Sequence, residues 1–131
     1  MEHTPRSLSL GRIRQIAVNV QDVERATKFY RDVLGLKFLF EFPGLSFFDA
    51  DGVRLMLAKG ETPEIDHPAS VIFYFVSDII GAHEVLEEKG VQVLKEPHII
   101  APMPDHDLWI ADYKDSEGNI FALMSEVPRD L

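Results

Sequence analysis

An internal repeat constrains the fold of this chain more than any other feature. Residues 16–22 (IAVNVQD) and residues 72–78 (IFYFVSD) are two apolar runs that both end in Asp. Asp is a favoured residue before the first turn of a helix, because its carboxylate accepts hydrogen bonds from unpaired amides there. A helical pattern follows each run and stops at Gly35 or Gly90, and Gly tolerates the left-handed conformation that ends many helices. The repeat predicts two similar modules.

Apolar residues in the two helical segments recur at the spacing of one buried stripe. In the first copy this stripe comprises Val23, Ala26, Tyr30, Val33 and Leu34, and in the second it comprises Ile79, Ala82, Val85 and Leu86. Both stripes therefore predict an amphipathic helix that packs against a sheet.

The two copies also end alike. Asp49–Gly52 precedes the apolar run 53–57, and Asp115–Gly118 precedes the run 119–123, so each copy predicts a tight turn that leads into a last strand. Between helix and turn there is room for two more strands in each copy. They are residues 38–42 and 45–48 in the first copy, and residues 96–100 and 108–113 in the second.

Each copy therefore has the order strand, helix, strand, strand, strand. We predict an α+β protein in which two βαβββ modules form a curved, half-open mixed β-barrel with the helices outside. The chain of 131 residues is a single domain in this prediction, with repeat one at about 12–59 and repeat two at about 70–126. The segment 60–69, rich in Pro and acidic residues, is the predicted linker.

Composition narrows the classes of function. The net charge is −9, which repels nucleic-acid phosphates and anionic membranes and weakly favours a cationic ligand. The chain has no cysteine, so disulfides and thiol nucleophiles are excluded. No apolar run reaches a membrane-spanning length and the N-terminus lacks a signal-peptide core, so the expected compartment is the cytoplasm.

In this order and spacing, the repeats resemble the vicinal-oxygen-chelate superfamily of glyoxalases, bleomycin-resistance proteins and extradiol dioxygenases. The resemblance rests on 16–22 followed by Phe29-Tyr30 and Leu34-Gly35-Leu36, and on the Asp115-x-x-Gly118-Asn119 turn. It covers about residues 12–126. It implies a concave pocket in which most enzymes of the family hold a divalent metal, and it implies a homodimer whose pockets are often completed between subunits. Metal-free relatives bind antibiotics without chemistry.

The resemblance implies metal ligands on the first and last strands of each module. In this chain those four positions hold Gln15, Met56, Val71 and Ala122. Val and Ala cannot coordinate a metal, and a thioether is a poor ligand for the hard or borderline cations of this superfamily. We therefore predict no metal cofactor at the usual site.

Strand alternation predicts which side chains face the pocket. Ile16, Val18 and Val20 should lie beneath the helix, so the alternate residues of the same strands should face the concave side. The predicted pocket residues on these strands are Gln15, Asn19, Arg54, Met56, Val71, Phe73, Phe75, Ala122 and Met124. Such a lining suits a small organic molecule with one or two polar groups. The alternative is that Met56, Phe73 and Phe75 only fill a closed barrel.

The histidines give a second set of candidates. His98 and His106 flank a Pro-containing hairpin, and with Asp105 and Asp107 they could form an acid–base pair or an irregular metal site. The alternative is a polar loop at the pocket mouth, made rigid by its prolines. We expect this loop to border the pocket and His98 to contact a ligand. The remaining histidines are predicted to be surface residues: His3, His67 and His83.

Three functions remain open. The first is a metal-free protein that binds a small organic ligand, as bleomycin-resistance proteins do. The second is a lyase/isomerase of the lactoylglutathione lyase type, or a dioxygenase, with a displaced metal site, although no motif assigns its catalytic residues. The third is a non-catalytic dimerisation module. Aromatic residues of the middle strands could supply the dimer contact, namely Phe47, Phe48, Trp109 and Tyr113.

Overall fold

The computed structural model describes residues 12–60 and 70–129, so the predicted linker lies almost entirely outside the described residues. The first half contains β1 (Gln15–Asn19), α1 (Val23–Lys28) continued by a π-helical turn (Phe29–Val33), β2 (Lys37–Phe42), β3 (Leu45–Ala50) and β4 (Val53–Ala58). The second half contains β5 (Ile72–Phe75), α2 (Ile79–Glu88), β6 (Gln92–Pro102), β7 (His106–Lys114) and β8 (Ile120–Pro128).

The strands form two four-stranded sheets, in the orders β1-β4-β3-β2 and β5-β8-β7-β6. The first and last strands of each half pair in parallel and the other pairs are antiparallel, so both sheets are mixed. The α+β prediction with two βαβββ modules is confirmed. The sheets are not closed into a barrel, as the half-open architecture requires. None of the described helices is long and apolar enough to cross a membrane.

Both helices begin at the predicted aspartates. The Asp22 carboxylate accepts a hydrogen bond from the Arg25 amide at 3.1 Å, and the Asp78 carboxylate accepts one from the Gly81 amide at 3.0 Å. Each carboxylate satisfies an amide that has no partner inside its helix. Gly35 and Gly90 follow with φ of 71° and 77°, so both helices end in the left-handed conformation that glycine tolerates.

The first helix departs from the uniform α-helix that its stripe predicts. After Lys28 it widens into a π-helical turn, in which the Leu34 amide donates to the Phe29 carbonyl at 3.0 Å. The wider turn places Phe29 between the hydrophobic cores of the two modules, where its ring makes edge contacts with Tyr30 and Phe121. The extra residue in this turn therefore gives one helix contacts with both modules.

Each module buries one face of its sheet against a helix. The first core contains Val18, Val20, Ala26, Tyr30, Phe48, Leu55 and Leu57, and the second contains Ile79, Leu86, Val91, Ala111, Tyr113, Phe121 and Leu123. The predicted placement of Val18 and Val20 beneath the helix is confirmed. Because strand residues alternate, the opposite face of each sheet carries the predicted pocket residues. We call this side the open face of each sheet.

A buried carboxylate joins the two modules. Glu117, in the turn before β8, has a fully buried side chain and accepts hydrogen bonds from the amides of Gln21 and Asp22 at 2.9 and 2.8 Å. It also accepts from the Arg25 guanidinium at 2.7 and 2.9 Å and from the Ser116 hydroxyl at 2.9 Å. A turn of the second module thus caps the entrance to α1 in the first.

The neighbouring residue Asp115 makes the second contact between the modules. Its carboxylate accepts the Tyr30 phenol at 2.6 Å and the amides of Glu117 and Asn119 at 2.8 and 2.9 Å. The Asn119 side chain then donates to the Asn19 carbonyl at 2.8 Å. These bonds explain why Asp115 and Asn119 stand at these places in the predicted turn.

The hairpin of β6 and β7 is longer than the sequence predicts. Only residues 103–105 lie outside its strands, and His98 lies within β6, as the predicted strand 96–100 implies. Arg129 holds the tip: it donates to the Asp107 carboxylate at 2.6 Å and to the carbonyls of Met103 and Pro104. The tip is therefore made rigid by a guanidinium as well as by its prolines.

Two of the predicted dimer contacts are wrong. Phe48 and Tyr113 are fully buried within their own module cores, because they face the helices. Neither ring is available to a second subunit.

The Tyr30 phenol provides a direct test of the contact between the modules. Tyr30→Phe leaves the buried Asp115 carboxylate without one hydrogen bond, so we expect a loss of about 2 kcal/mol in the free energy of unfolding. Urea denaturation at pH 7 measures it. Tyr74→Phe is the matched control, because the buried Tyr74 hydroxyl has no hydrogen-bond partner in the described part of the chain. We expect the control to unfold at the same or a higher urea concentration; equal losses in both variants would contradict the assignment.

Glu117 should make stability depend on pH. Burial raises the pKa of this carboxyl, but hydrogen bonds from Arg25, the Asp22 amide, Ser116 and the Gln21 amide outweigh burial and lower the pKa from 4.5 to about 2. A depressed pKa stabilises the fold above pH 4.5, by about 3 kcal/mol, and this contribution is lost as the pH falls towards 2.

We therefore expect the wild type to lose more stability between pH 7 and pH 3 than Glu117→Gln, measured by urea denaturation at both values. Identical pH dependence in the two proteins would show that Glu117 does not carry this effect.

Candidate functional site

A row of four polar side chains crosses the open face of the first sheet. Gln15, Arg54, Asp49 and Lys37 are neighbours in register on β1, β4, β3 and β2. Residues in register on adjacent strands point to the same side of a sheet, so an amide, a guanidinium, a carboxylate and an ammonium share this face. Two of them, Gln15 and Arg54, are predicted pocket residues.

Contacts within this row decide what Gln15 can bind. The Nε of Arg54 donates to the Gln15 side-chain oxygen at 2.7 Å, and the Gln15 nitrogen lies 3.9 Å from the sulfur of Met56. The Arg54 guanidinium also lies over the Phe47 ring, 5.6 Å from its centre, which is a cation–π contact. Gln15 has the only oxygen atom at the four family positions that could coordinate a metal. That oxygen is therefore hydrogen-bonded to a cation.

An aromatic group borders the polar row. The rings of Phe40 and Phe47 have centres 4.7 Å apart, and Phe42 lies 5.6 Å from Phe40 and 6.3 Å from Phe47. Sequence alternation would place Phe40 and Phe42 beneath the helix with Phe38. A register shift between Phe38 and Phe40 turns them to the open face instead.

A cavity of about 310 Å³ lies at this end of the first sheet, lined by Arg14, Leu39, Asp49, Gly52 and Arg54. Of these residues the sequence prediction included only Arg54. The pairing of Asp49 with Arg54 depends on the turn at Asp51–Gly52, where both residues have positive φ. That turn was predicted from its Asp-Gly pair, so the position of Asp49 could have been inferred by counting back along β3.

The open face of the second sheet is mainly apolar. Phe73 pairs with Ala122, and Phe75 pairs with Met124. Phe73 and Phe75 are 49% and 63% exposed, so within one chain these rings do not fill a closed barrel. Val71 is also exposed, whereas Ala122 is fully buried and offers no surface to a ligand. Asn19 is partly buried on the first sheet.

The two hairpin histidines do not converge. His98 is in register with Ile110, whereas His106 is in register with Pro128 at the start of β7. Four residues along a strand separate the two places by roughly 13 Å. His98 Nδ1 donates to the Glu96 carbonyl at 2.8 Å, and His106 Nδ1 donates to the exposed Asp105 carboxylate at 2.7 Å. A site that uses both rings is therefore not formed.

His98 nevertheless lies on the open face. Phe75, Met124, Ile110 and His98 form one row across the second sheet. Because its Nδ1 donates to a carbonyl, a neutral His98 ring has Nε2 as an acceptor. This geometry suits the predicted ligand contact.

The family metal positions do not fit a divalent cation. Gln15 has its oxygen hydrogen-bonded to the Arg54 guanidinium, and a second cation beside that group would be repelled. Met56 presents a thioether, and Val71 and Ala122 have no donor. Within residues 12–60 and 70–129, one group has the proximity of a metal site: His83, Glu87 and Glu96, whose ligand atoms lie within 4.8 Å of one another.

That group corrects the prediction that His83 is a surface residue. His83 is buried between α2 and the second sheet, on the side opposite the open face. Its Nδ1 lies 2.8 Å from the Tyr113 hydroxyl and its Nε2 lies 3.2 Å from Glu87. Burial raises the pKa of Tyr113 to about 12, so the hydroxyl stays protonated. The three side chains form a hydrogen-bonded chain that supports the helix.

Comparison with known proteins gives the same fold. The solved structure of TnmS3, an antibiotic binding protein from Streptomyces sp. CB03234, superposes with a TM-score of 0.73 at 21% identity, covering 92% of this chain and 99% of that one. A lactoylglutathione lyase from Agrobacterium tumefaciens superposes with a TM-score of 0.69 at 22% identity, covering 88% and 94%.

Sequence comparison also finds a relative that this chain matches over most of its length. A glyoxylase-like domain-containing protein of Didymella fabae is 27% identical over 123 residues, covering 86% of this chain and 92% of the relative. The family model of the Glyoxalase/Bleomycin resistance protein/Dioxygenase superfamily matches residues 12–123, nearly the whole chain. The repeat, the two open sheets and this match lead to one assignment: the chain belongs to the glyoxalase/bleomycin resistance protein/dioxygenase superfamily.

Proposed function

We propose that this protein binds a small organic molecule on the open faces of its sheets, without a divalent metal. The hydrogen bond of 2.7 Å between Arg54 and Gln15 carries the proposal. This bond places the positive charge of Arg54 beside the one family position whose side chain has an oxygen that could coordinate a metal. A cation in that place would lose its ligand and meet a like charge.

The lining of the open faces supports an organic ligand. Phe42, Phe73 and Phe75 are 58%, 49% and 63% exposed, and such rings gain free energy when an apolar surface covers them. Polar groups are few and lie at defined places, with Arg54 on the first sheet and His98 on the second. A mainly apolar surface with few polar groups is typical of small-molecule sites.

The remaining alternatives have less support. A displaced lyase/isomerase or dioxygenase site needs a cation and a base near a substrate. The one described cluster with metal-ligand proximity, around His83, lies on the helix side and not on an open face. The structural relative TnmS3, an antibiotic binding protein, has the same fold, which is compatible with the binding function.

We also propose a homodimer in the cytoplasm, in which a second subunit covers part of each open face. The resemblance implies this assembly, and the exposed phenylalanines of the open faces are the apolar surface that it would bury. A protein that only dimerises would use the same surface. A measurement of ligand binding, and not of oligomeric state, therefore distinguishes the ligand-binding function from dimerisation alone.

The absence of a metal at the family site is tested by thermal denaturation. Protein stripped with a chelator is titrated with manganese, iron(II), cobalt, nickel and zinc. We expect no saturable rise in Tm that depends on Gln15, because the Arg54 guanidinium occupies its oxygen. A bound metal at about 100 times its Kd would add about 2.7 kcal/mol, a shift of several degrees.

Two variants identify the origin of any shift. A rise in Tm that Gln15→Ala abolishes would overturn the proposal. A rise in Tm that Glu96→Gln abolishes and Gln15→Ala does not would come from a metal bound at the cluster of His83, Glu87 and Glu96 on the helix side. That result would leave the proposal intact.

The dimer is tested by light scattering coupled to size exclusion. We expect a mass of twice the chain's 14.9 kDa, and Phe75→Glu should shift the mass towards the monomer because it places a charge on the open face. Ile80→Glu is the matched control, since Ile80 is an apolar residue on α2 that is 50% exposed, compared with 63% for Phe75. A wild-type monomer, or equal dissociation of both variants, would contradict the proposed interface.

A further inference from the structure

The arginines of this acidic protein divide into two groups. Arg25, Arg31 and Arg129 each form an ion pair, with Glu117, Asp32 and Asp107 respectively. The other three described arginines form no ion pair with any residue in 12–60 or 70–129; they are Arg12, Arg14 and Arg54. With 22 acidic residues in the chain, unpaired arginines are not explained by a shortage of carboxylates.

All three unpaired arginines lie around one cavity. Arg14 and Arg54 line the space of about 310 Å³ at the end of the first sheet's open face. Gly52 lines it too, and a Cβ built on Gly52 would lie 3.7 Å from Nη1 of Arg12. Positive charge is therefore collected at this place although the chain as a whole carries a net charge of −9.

Arg54 is held in position by its neighbours. Its Nε donates to Gln15 at 2.7 Å, and its guanidinium lies 5.6 Å from the centre of the Phe47 ring. These contacts use the Nε and one face of the guanidinium, so the two Nη groups remain as donors. A planar pair of donors is the geometry that recognises a carboxylate.

One carboxylate shares the cavity. Asp49 lines it and is held by the Gly52 amide, which donates to it at 3.2 Å. Asp49 forms no ion pair of 4.0 Å or less with a described basic group, so it does not neutralise Arg54 by direct contact. Two arginines against one aspartate leave the lining with an excess of positive charge.

An aromatic group lies beside Arg54. Phe47, beneath Arg54, has its ring centre 4.7 Å from that of Phe40 and 6.3 Å from that of Phe42. Phe40 and Phe42 are exposed, so a flat ring can stack on them.

We propose that the open face of the first sheet selects an organic anion, an aromatic carboxylic acid whose carboxylate binds Arg54 and whose ring packs on the exposed Phe40 and Phe42. The inference rests on the proposed small-molecule function and adds the chemical class of the ligand. It reverses the expectation from net charge, which favours a cation. The arginines at the cavity outnumber the one carboxylate there and determine the potential where the ligand binds, because more distant acidic residues are screened.

The test uses matched sets of three aromatic probes. Each set contains a carboxylate, its primary amide and the corresponding aminomethyl compound, for example 2-naphthoate, 2-naphthamide and 2-(aminomethyl)naphthalene. Binding to the full-length protein is measured by isothermal titration calorimetry at low salt and pH 7. We expect the carboxylates to bind at least tenfold more tightly than the amides, and the amines to bind most weakly.

Variants connect the preference to Arg54. Arg54→Gln should abolish the preference, so that the carboxylate binds no more tightly than the amide, and Arg54→Lys should keep part of the preference. Arg31→Gln is the matched control, because Arg31 is an exposed arginine that lies on the helix and pairs with Asp32. This control should keep the wild-type preference.

The outcomes separate the inference from the function on which it rests. Equal binding of acids and amides, unchanged in Arg54→Gln, would overturn the anion preference and still support an organic ligand. A preference for the amines would overturn it in favour of a cationic ligand. If no compound of any class binds, both the anion preference and the proposed small-molecule function are wrong.

Discussion

The buried carboxylate of Glu117 joins two modules whose strands belong to separate sheets. It accepts the amides of Gln21 and Asp22 just before α1, and it pairs with Arg25 inside that helix. Asp115 accepts the Tyr30 phenol beside it, and Phe29 packs between the two cores. Because the polar and apolar contacts both use α1, the helix holds the two sheets together by their helix-facing sides. The opposite sides stay open, and the proposed function depends on that arrangement.

Local chemistry made much of the fold predictable. Asp22 and Asp78 cap helices, Gly35 and Gly90 end them, and the Asp51-Gly52 pair makes a tight turn, because each requirement is met within a few residues of the chain. Alternation placed Val18 beneath the helix and Gln15 on the other face for the same reason. The family metal positions could be tested from residue types alone, since Val71 and Ala122 have no donor atom.

The parts that could not be predicted depend on irregular backbone and on distant partners. A register shift turns Phe40 and Phe42 to the open face, and shifts along β6 place His98 beside Ile110; alternation gives the wrong side for the two phenylalanines. His83 becomes buried because Tyr113, thirty residues away, supplies a hydroxyl for its ring. The arginines at the cavity could be recognised only when the ion pairs of the other three were known.

The bond between Glu117 and Arg25 also bears on the order in which the protein is made. The two residues are 92 positions apart, so α1 leaves the ribosome long before the carboxylate that completes its first turn. Until then, water must satisfy the amides of Gln21 and Asp22, and Tyr30 has no acceptor from Asp115. A first module that folds during translation therefore does so with an incomplete helix start, and docking of the last turn is a late event. Truncation before Glu117 would leave a chain that contains every strand of the first sheet and lacks the contact that orders its helix.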